Sequence, residues 1–327
     1  MATLRDLSTI NSPSGRGRDG LGVVLQSSPF LAFLETASGW EEDATVFDWL
    51  PVATALATID ARGIGGSYTP LNAAPGTRLT GQLAMHGGSV DIDISHLADA
   101  RRGLRDVDAW FAKELQVRLK AFAVGYEKLL FEGTGQNNQI KGLRNIISGS
   151  DLPGHTGTTR LANAQEAVGG TAKSCDLTNA NNYGKFVEYL YAQIVKVDNP
   201  LGLVMNTSLY ARMWTIARKE QILGETRDLF GVPVATFNGI PMIRVLDGTI
   251  TNSEPDDTDT TPKNETTSLY IMSPGERRTS LVTNSGLYWM DYDHVENKES
   301  GREKWEIRAA WKIEDPMSVL RVRNIKV

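Results

Sequence analysis

From Leu104 to Leu129 the chain places Leu104, Val107, Phe111, Leu115, Leu119, Phe122, Tyr126 and Leu129 three or four residues apart. That spacing sets all eight on one stripe of a single long helix. Arg102, Arg105, Lys113, Glu114, Arg118 and Lys120 lie mostly off the stripe. The helix ends abruptly. Leu130 and Phe131 close the pattern, and Gly133-Thr134-Gly135-Gln136 turns the chain toward a second apolar stretch, Ile140-Lys141-Gly142-Leu143. Gly133 and Gly135 are expected to supply the positive-φ positions that stop the helix. A core helix in many proteins carries the same stripe, so the stripe constrains the fold and leaves function open.

With 327 residues the chain can bury a substantial core and has room for two domains, or for one domain with large excursions. Its formal net charge of −5 argues against a general nucleic-acid-binding surface, which would be basic. No segment approaches the ~20 apolar residues of a membrane span. Near the N-terminus, Leu4, Leu7 and Ile10 are interleaved with Arg5, Asp6, Ser8 and Thr9, which is not a signal pattern. The single cysteine, Cys175, excludes an intramolecular disulfide. Assembly in the cytoplasm without a membrane is the expectation.

Residues 1–39 are rich in Ser, Gly and Pro, as in Ser12-Pro13-Ser14-Gly15-Arg16-Gly17-Arg18, and read as an extended arm. Pro29 to Leu34 reads as a short anchoring helix within it. A long hairpin is expected from Val46 to Ser95, with a broad tip at Gly63-Ile64-Gly65-Gly66 and Ala74-Pro75-Gly76. Its return strand closes on Val90-Asp91-Ile92-Asp93-Ile94-Ser95, a strict alternation. Such a hairpin has too few bulky residues at its tip to bury itself, and a neighbouring subunit is the natural surface for it. Residues 148–180 give no assignment. Beyond them the spacing predicts a helix through Phe186, Leu190, Ile194 and Val197, and a buried strand over Leu201–Met205. A helix capped by Asn206-Thr207-Ser208 follows, then strands at Val232–Ala235 and Met242–Leu246. The acidic, Thr-rich stretch Asp247–Ser268 reads as an exposed loop, and strands resume at Leu269–Met272 and Leu287–Tyr292. Trp305, Ile307, Ala309, Trp311 and Ile313 alternate with Glu306, Arg308, Ala310, Lys312 and Glu314, predicting a strand with one buried and one charged face.

No catalytic, cofactor-binding or metal-ligating set emerges from these residues. Gly15-Arg16-Gly17-Arg18-Asp19-Gly20 matches the dinucleotide fingerprint literally but follows Asn11-Ser12-Pro13-Ser14, not a strand. Gly184-Lys185 leads into Phe186 within a helical pattern, not into a phosphate loop. The histidines His86, His96, His155 and His294 form no metal-binding pair, and read as polar surface or hairpin residues. Glu254, Asp256, Asp257 and Asp259 lack the glycine and closing glutamate of a calcium loop. No nucleophile elbow is present. The sequons at Asn206 and Asn264 read as a helix cap and loop chemistry, and the seven tryptophans as packing residues.

Taken in order, these elements carry a resemblance. The end of the long helix and its turn, Tyr126 through Leu143, is similar to the end of the spine helix in major capsid proteins of tailed bacteriophages. So is the chain's close, Trp305 to Val327, with a strand, the Asp315-Pro316 break and a final strand. The resemblance implies an α+β fold, the phage capsid fold of the Hong Kong ninety-seven type. It would divide the chain into an N-terminal arm (1–45), an extended β-hairpin loop (46–95), and a peripheral domain with the long spine helix (96–180 and 296–327). An axial α/β domain (181–295) would carry the acidic loop 247–268. It implies a structural, non-enzymatic role: a major capsid protein that assembles into hexamers and pentamers of an icosahedral shell around double-stranded DNA. The expected location is the virion, and the expected partners are further copies, a scaffolding protein, the portal and a decoration protein. DNA would be contacted non-specifically. An arm beginning almost at Met1 leads us to expect no cleaved scaffolding segment and a separately encoded scaffolding protein. Arg5, Arg16 and Arg18 give the arm local positive charge, which could bind DNA; given the overall acidity, pairing with acidic residues such as Glu41, Glu42 and Asp43 of a neighbour is preferred. Some relatives cross-link a lysine of the extended loop to an asparagine of the next subunit. Residues 1–112 contain no lysine, and the loop offers only Arg62 and Arg78. The competing readings are an encapsulin-type shell around protein cargo and an enzyme of unknown class.

Overall fold

The computed structural model describes residues 16–50, 78–93, 107–148, 161–163, 175–220, 227–229, 232–255, 264–292 and 300–327. The described residues open with two helices, α1 (Arg16–Ser27) and α2 (Pro29–Thr36). The expected extended arm is therefore helical from Arg16 onward. Leu21, Val24 and Leu25 supply the reason: at i, i+3 and i+4 they form a short buried stripe. Gly20 completes the face. A Cβ there would lie 3.1 Å from the Trp289 ring, so the glycine lets the helix press against the sheet beneath. The junction between the helices is capped by Ser28, whose hydroxyl accepts the Leu31 N–H at 3.1 Å, with Pro29 in the first turn.

Strands β1 (Trp40–Glu42), β2 (Val46–Trp49), β3 (Leu79–Gln82) and β4 (Ala84–Asp93) follow. The hairpin tip expected at 63–76 lies outside the described residues. The long helix is α3 (Val107–Glu132), with Leu119, Tyr126 and Leu130 buried along its stripe. Its turn works differently from expectation. Gly133 does not carry a positive φ. It is there because a Cβ would collide with Ile140 O at 2.1 Å. The positive-φ residues are Gly135 (72°), Asn137 (52°) and Asn138 (62°). Gly142 donates back to Gly133 O at 2.8 Å and starts helix α4 (Leu143–Ser148).

A short strand β5 (Leu161–Asn163) lies in the region without a sequence assignment. Helix α5 (Tyr183–Ile194), strand β6 (Gly202–Met205) and helix α6 (Thr207–Lys219) come next. As the sequence suggests, Asn206 caps α6 by accepting the Leu209 N–H at 2.9 Å. The rest of the chain is β7 (Arg227–Leu229), β8 (Val232–Val234), β9 (Thr236–Phe237), β10 (Ile240–Arg244), β11 (Glu254–Pro255), β12 (Asn264–Met272), β13 (Thr279–Tyr292), β14 (Ser300–Ile313) and β15 (Val319–Lys326).

Two larger sheets organise most of these strands, and β2–β3 and β7–β8 form separate two-stranded pairs. Of the larger two, one has the order β1-β13-β14-β4, and the other runs β5-β15-β12-β6-β10-β9 with β11 paired to β12. Residues 279–292 thus share a sheet with 300–313, while the last strand, 319–326, lies in the other sheet beside β12. The larger sheet is buried on both faces. Leu203, Met205, Leu269, Ile271 and Leu320 face helices α5 and α6, whereas Val204, Ile243, Tyr270 and Met272 join a core shared with α1, α2, α3 and the first sheet. Double burial explains why Gly202–Met205 reads as a continuous apolar run.

The acidic stretch 247–268 is not simply an exposed loop. Thr249, Ile250 and Glu254 are buried, and so are Thr266, Thr267 and Ser268 at the start of β12. Residues 256–263 of it lie outside the described residues.

Candidate assembly surfaces

The hairpin root is built by β2 and β3, paired antiparallel from Val46↔Gln82 to Trp49↔Leu79. It lies on the outer face of the first sheet. Phe47 and Leu83 cluster with Val282 and Ala310, and the Trp49 indole N–H donates to Ile313 O at 3.0 Å. Gly81 is required by contact, since a Cβ there would fall 2.5 Å from the Phe47 ring. The charged face of β14 is therefore partly covered by the hairpin root. Lys312, only 11 % exposed at its side chain, bridges Glu41 at 2.9 Å and Glu314 at 2.6 Å. Burial alone would push the Lys312 ammonium down, but the hydrogen bonds and charges of Glu314 and Glu41 outweigh it and hold the pKa above its ordinary value. Glu41, expected to meet an arginine of another subunit, is thus occupied within its own chain; Glu42 and Asp43 are exposed.

Around this root several apolar side chains stay exposed. Val46, Leu50 and Met85 are 63 %, 57 % and 55 % exposed. They accompany a cavity of about 940 Å³ between Trp49, Leu79, the Gly135–Lys141 turn and Trp311. Isolated exposed apolar residues are ordinary, but a group beside a concave surface marks a contact region.

Three polar joints hold the frame that carries this surface. In the first, His86 Nε2 on β4 accepts the Ile140 N–H at 3.1 Å, with its ring 5.9 Å from Tyr126. The strand leading out of the hairpin is thereby pinned to the turn after α3. Half-burial lowers the His86 pKa, favouring the neutral ring that this hydrogen bond needs. In the second, the buried Glu127 of α3 accepts the Leu246 N–H at 2.7 Å and the Thr249 hydroxyl at 3.2 Å. It also takes a short hydrogen bond from Ser28 between α1 and α2. Burial raises the Glu127 pKa, and the three hydrogen bonds work against that rise. In the third, Arg321 pairs with Glu254 at 2.9 Å and donates to Ser268 at 3.0 Å. Arg144 lies 3.9 Å from both Glu254 and Glu132. Glu254 is therefore committed to arginine. Of the four carboxylates weighed for calcium, the other three lie outside the described residues.

None of these joints was singled out from sequence, because each links residues far apart in the chain. Cys175 is buried, and its thiol pKa is pushed up to about 12. Among the described residues no three of His, Cys, Asp and Glu converge as metal ligands, and no helix is long and apolar enough to cross a membrane. His96, His155 and His294 lie outside the described residues, as do the side chains of Arg5, Arg16, Arg18, Arg62 and Trp110.

No family profile and no curated relative matches the sequence. Solved structures do match its backbone. The capsid of an empty GTA particle superposes with a TM-score of 0.56 at 15 % identity, covering 89 % of this chain and 96 % of that one. The chain has the capsid fold of the Hong Kong ninety-seven type. The holo-SrpI encapsulin of Synechococcus elongatus gives a TM-score of 0.55 at 13 % identity, over 88 % of this chain and 85 % of its own. A structure of Microbacterium phage Oxtober96 gives 0.50 at 10 % identity, over 86 % and 88 %. Helix α3 covers the residues expected to form the spine helix, and the β2–β3 hairpin those expected to root the extended loop.

Proposed function

We propose that this chain is the structural subunit of a closed icosahedral shell, and that it acts by self-assembly rather than catalysis. The observation that carries the reading is the extent of the backbone match: shell proteins superpose on 88–89 % of this chain. Head-to-tail contacts between identical copies close into rings, here hexamers and pentamers. With the extended loop reaching over a neighbour, each subunit would bury well beyond the ~1,600 Å² of a standard interface. Release of one copy then requires many contacts to break together.

We further propose that the shell is a virion capsid around double-stranded DNA, assembled in the host cytoplasm with a scaffolding protein, a portal and a decorating protein. A net charge of −5 suits that content, because a shell without strong phosphate contacts neither resists packaging nor retains the DNA. The encapsulin reading stands beside it, supported by a TM-score of 0.55 against 0.56 for the GTA capsid. Expression of the chain followed by negative-stain imaging tests the shell, and a uniformly monomeric product would sink it. Particles isolated from the native source then separate the readings: packaged nucleic acid favours the capsid, and a packaged enzyme favours the encapsulin.

A further inference from the structure

Strand β1, the Pro274–Thr279 turn and the end of β14 surround a cavity of about 310 Å³. Backbone hydrogen bonds fix this rim: the Leu281 N–H donates to Gly39 O at 2.7 Å, and the Glu314 N–H to Arg278 O at 2.9 Å. The turn holds Arg277 at a φ of 59°, a left-handed conformation uncommon for a bulky residue. Glu41, Glu42, Glu276 and Glu314 line the cavity, against two cations, Arg277 and Lys312. Lys312 bridges Glu41 and Glu314, but on Glu41 it takes only Oε2. The Glu41 side chain is only 10 % exposed, and its Oε1 has no hydrogen-bond partner. Arg277 does not supply one, forming no ion pair among the described residues. A buried carboxylate oxygen left without a donor is costly, which makes a donor from outside the chain favourable.

We propose that this cavity is a guanidinium site, filled by an arginine of a second copy of this chain. The inference rests on the shell reading and assigns one of its contacts. The ligand is cationic, because four carboxylates face two cations and one buried oxygen lacks a donor. It is not a metal ion: among the described residues no three acidic side chains converge as ligands. Its donors form a planar fork. Lys312 already fills the ammonium position between Glu41 and Glu314, whereas a guanidinium can reach two of the remaining oxygens at once. The chain has arginines to give. Arg218 at the end of α6 and Arg244 of β10 line one groove, are exposed, and make no ion pair among the described residues. Helix α6 packs on one face of the larger sheet, while Trp40 beside the cavity belongs to the core on the other face. Within one chain, the larger sheet and that core thus separate these arginines from the cavity. Site and donor are different surfaces, so the contact is head-to-tail.

The test uses two full-length variants. One reverses the cavity rim, Glu42→Arg with Glu276→Arg; the other reverses the donors, Arg218→Glu with Arg244→Glu. All four side chains are exposed, so the urea midpoint of each unassembled variant should match that of the unaltered chain. Particle yield should fall on the order of tenfold in either variant alone, through like-charge contact. It should recover when the two variants are mixed in equal amounts, because each then offers the other an opposite surface. One chain carrying all four reversals should recover as well. Normal particles from either variant alone overturn the proposal. Recovery only in the chain with all four reversals overturns it too, since the pair would then be internal. So does recovery in neither case, which would give the cavity's cation another source. A urea midpoint lowered in step with the yield also overturns it, placing these groups in the subunit's own fold. Failure of the unaltered chain to form particles refutes the shell reading itself, and that failure is distinct from the others.

Discussion

Glu127→Ala should loosen three parts of the subunit at once, because Glu127 bonds the α1–α2 junction and the 246–249 turn to the spine helix. The Leu246 N–H is fixed by the backbone and cannot seek another partner. Leaving it orphaned costs about 1–3 kcal/mol. The Ser28 and Thr249 hydroxyls can rotate, so each adds roughly 0.5–1 kcal/mol. The total is about 2–5 kcal/mol. Glu127→Gln keeps a carbonyl oxygen toward Leu246 and Thr249, and its amide can donate to Ser28 Oγ, so it should cost only about 1 kcal/mol. The assay is urea unfolding of unassembled subunits followed by tryptophan fluorescence, since Trp289, Trp305 and Trp311 lie in the shared core. A cycle with Ser28→Ala should return a coupling of roughly 0.5–3 kcal/mol. The pH dependence has a definite sign. Burial raises the Glu127 pKa in the folded state, so its contribution is full below the ordinary carboxylate range and is lost as pH rises through the raised value. The alanine penalty should therefore be larger in acid than at neutral pH. A penalty under about 0.5 kcal/mol, within the scatter of surface substitutions, would refute the reasoning, as would equal damage from Gln and Ala.

His86 gives the opposite slope: its folded pKa is lowered by burial, so stability should fall as pH drops below the ordinary histidine value, and His86→Gln should flatten that fall in pH-resolved melting. Trp311→Ala should cost about 3–5 kcal/mol as a large core truncation, since its indole also donates to Leu130 O at 2.9 Å. Lys312→Ala should cost about 2–4 kcal/mol by leaving the Glu41 carboxylate unpaired; an unchanged urea midpoint for either would contradict the packing of β14 described above. Deleting only 256–263 and joining the ends with a short turn should preserve folding, whereas removing 247–268 should yield insoluble protein because Glu254 and Ser268 go with it. With no lysine before Lys113, particles boiled in detergent should release one band near 35.8 kDa, and a ladder of covalent multimers would show that another chemistry joins the loops.

Elements with a strong period were legible in the sequence. The spine-helix stripe, the Asn206 cap and the alternation through Trp305–Ile313 each appear in the structure, because local spacing and burial agree there. Helix α1 was not legible. Gly17, Gly20 and Gly22 disfavour a helix locally, and only packing against the long helix α3 and the sheet surface at Trp289 makes the Leu21–Val24–Leu25 face worth burying. The acidic stretch misled for a related reason. Glu254 reads as solvent-exposed until Arg321, from the last strand, is brought beside it. Likewise the polar side of β14 looks like a surface until the hairpin root covers it.

The proposed assembly surfaces lie where that long-range pairing stops. Buried Glu127, Glu254 and Lys312 all find their partners within the chain, so the joints among α1, the spine helix and both sheets are satisfied internally. The same accounting leaves Val46, Leu50 and Met85 near the hairpin root, and Tyr210, Trp214, Arg218 and Arg244 around α6, without cover among the described residues. Apolar and cationic groups left over in two separate places, on a frame whose own polar groups are largely paired, are what a subunit needs to meet different neighbours at once. Weakening either surface should then reduce particle yield while leaving the urea midpoint of the unassembled subunit unchanged. Substitutions at the joints should move that midpoint first. If Trp214→Ala or Leu50→Ser shifts subunit stability as much as Glu127→Ala does, these faces belong to the subunit's own fold and the division fails.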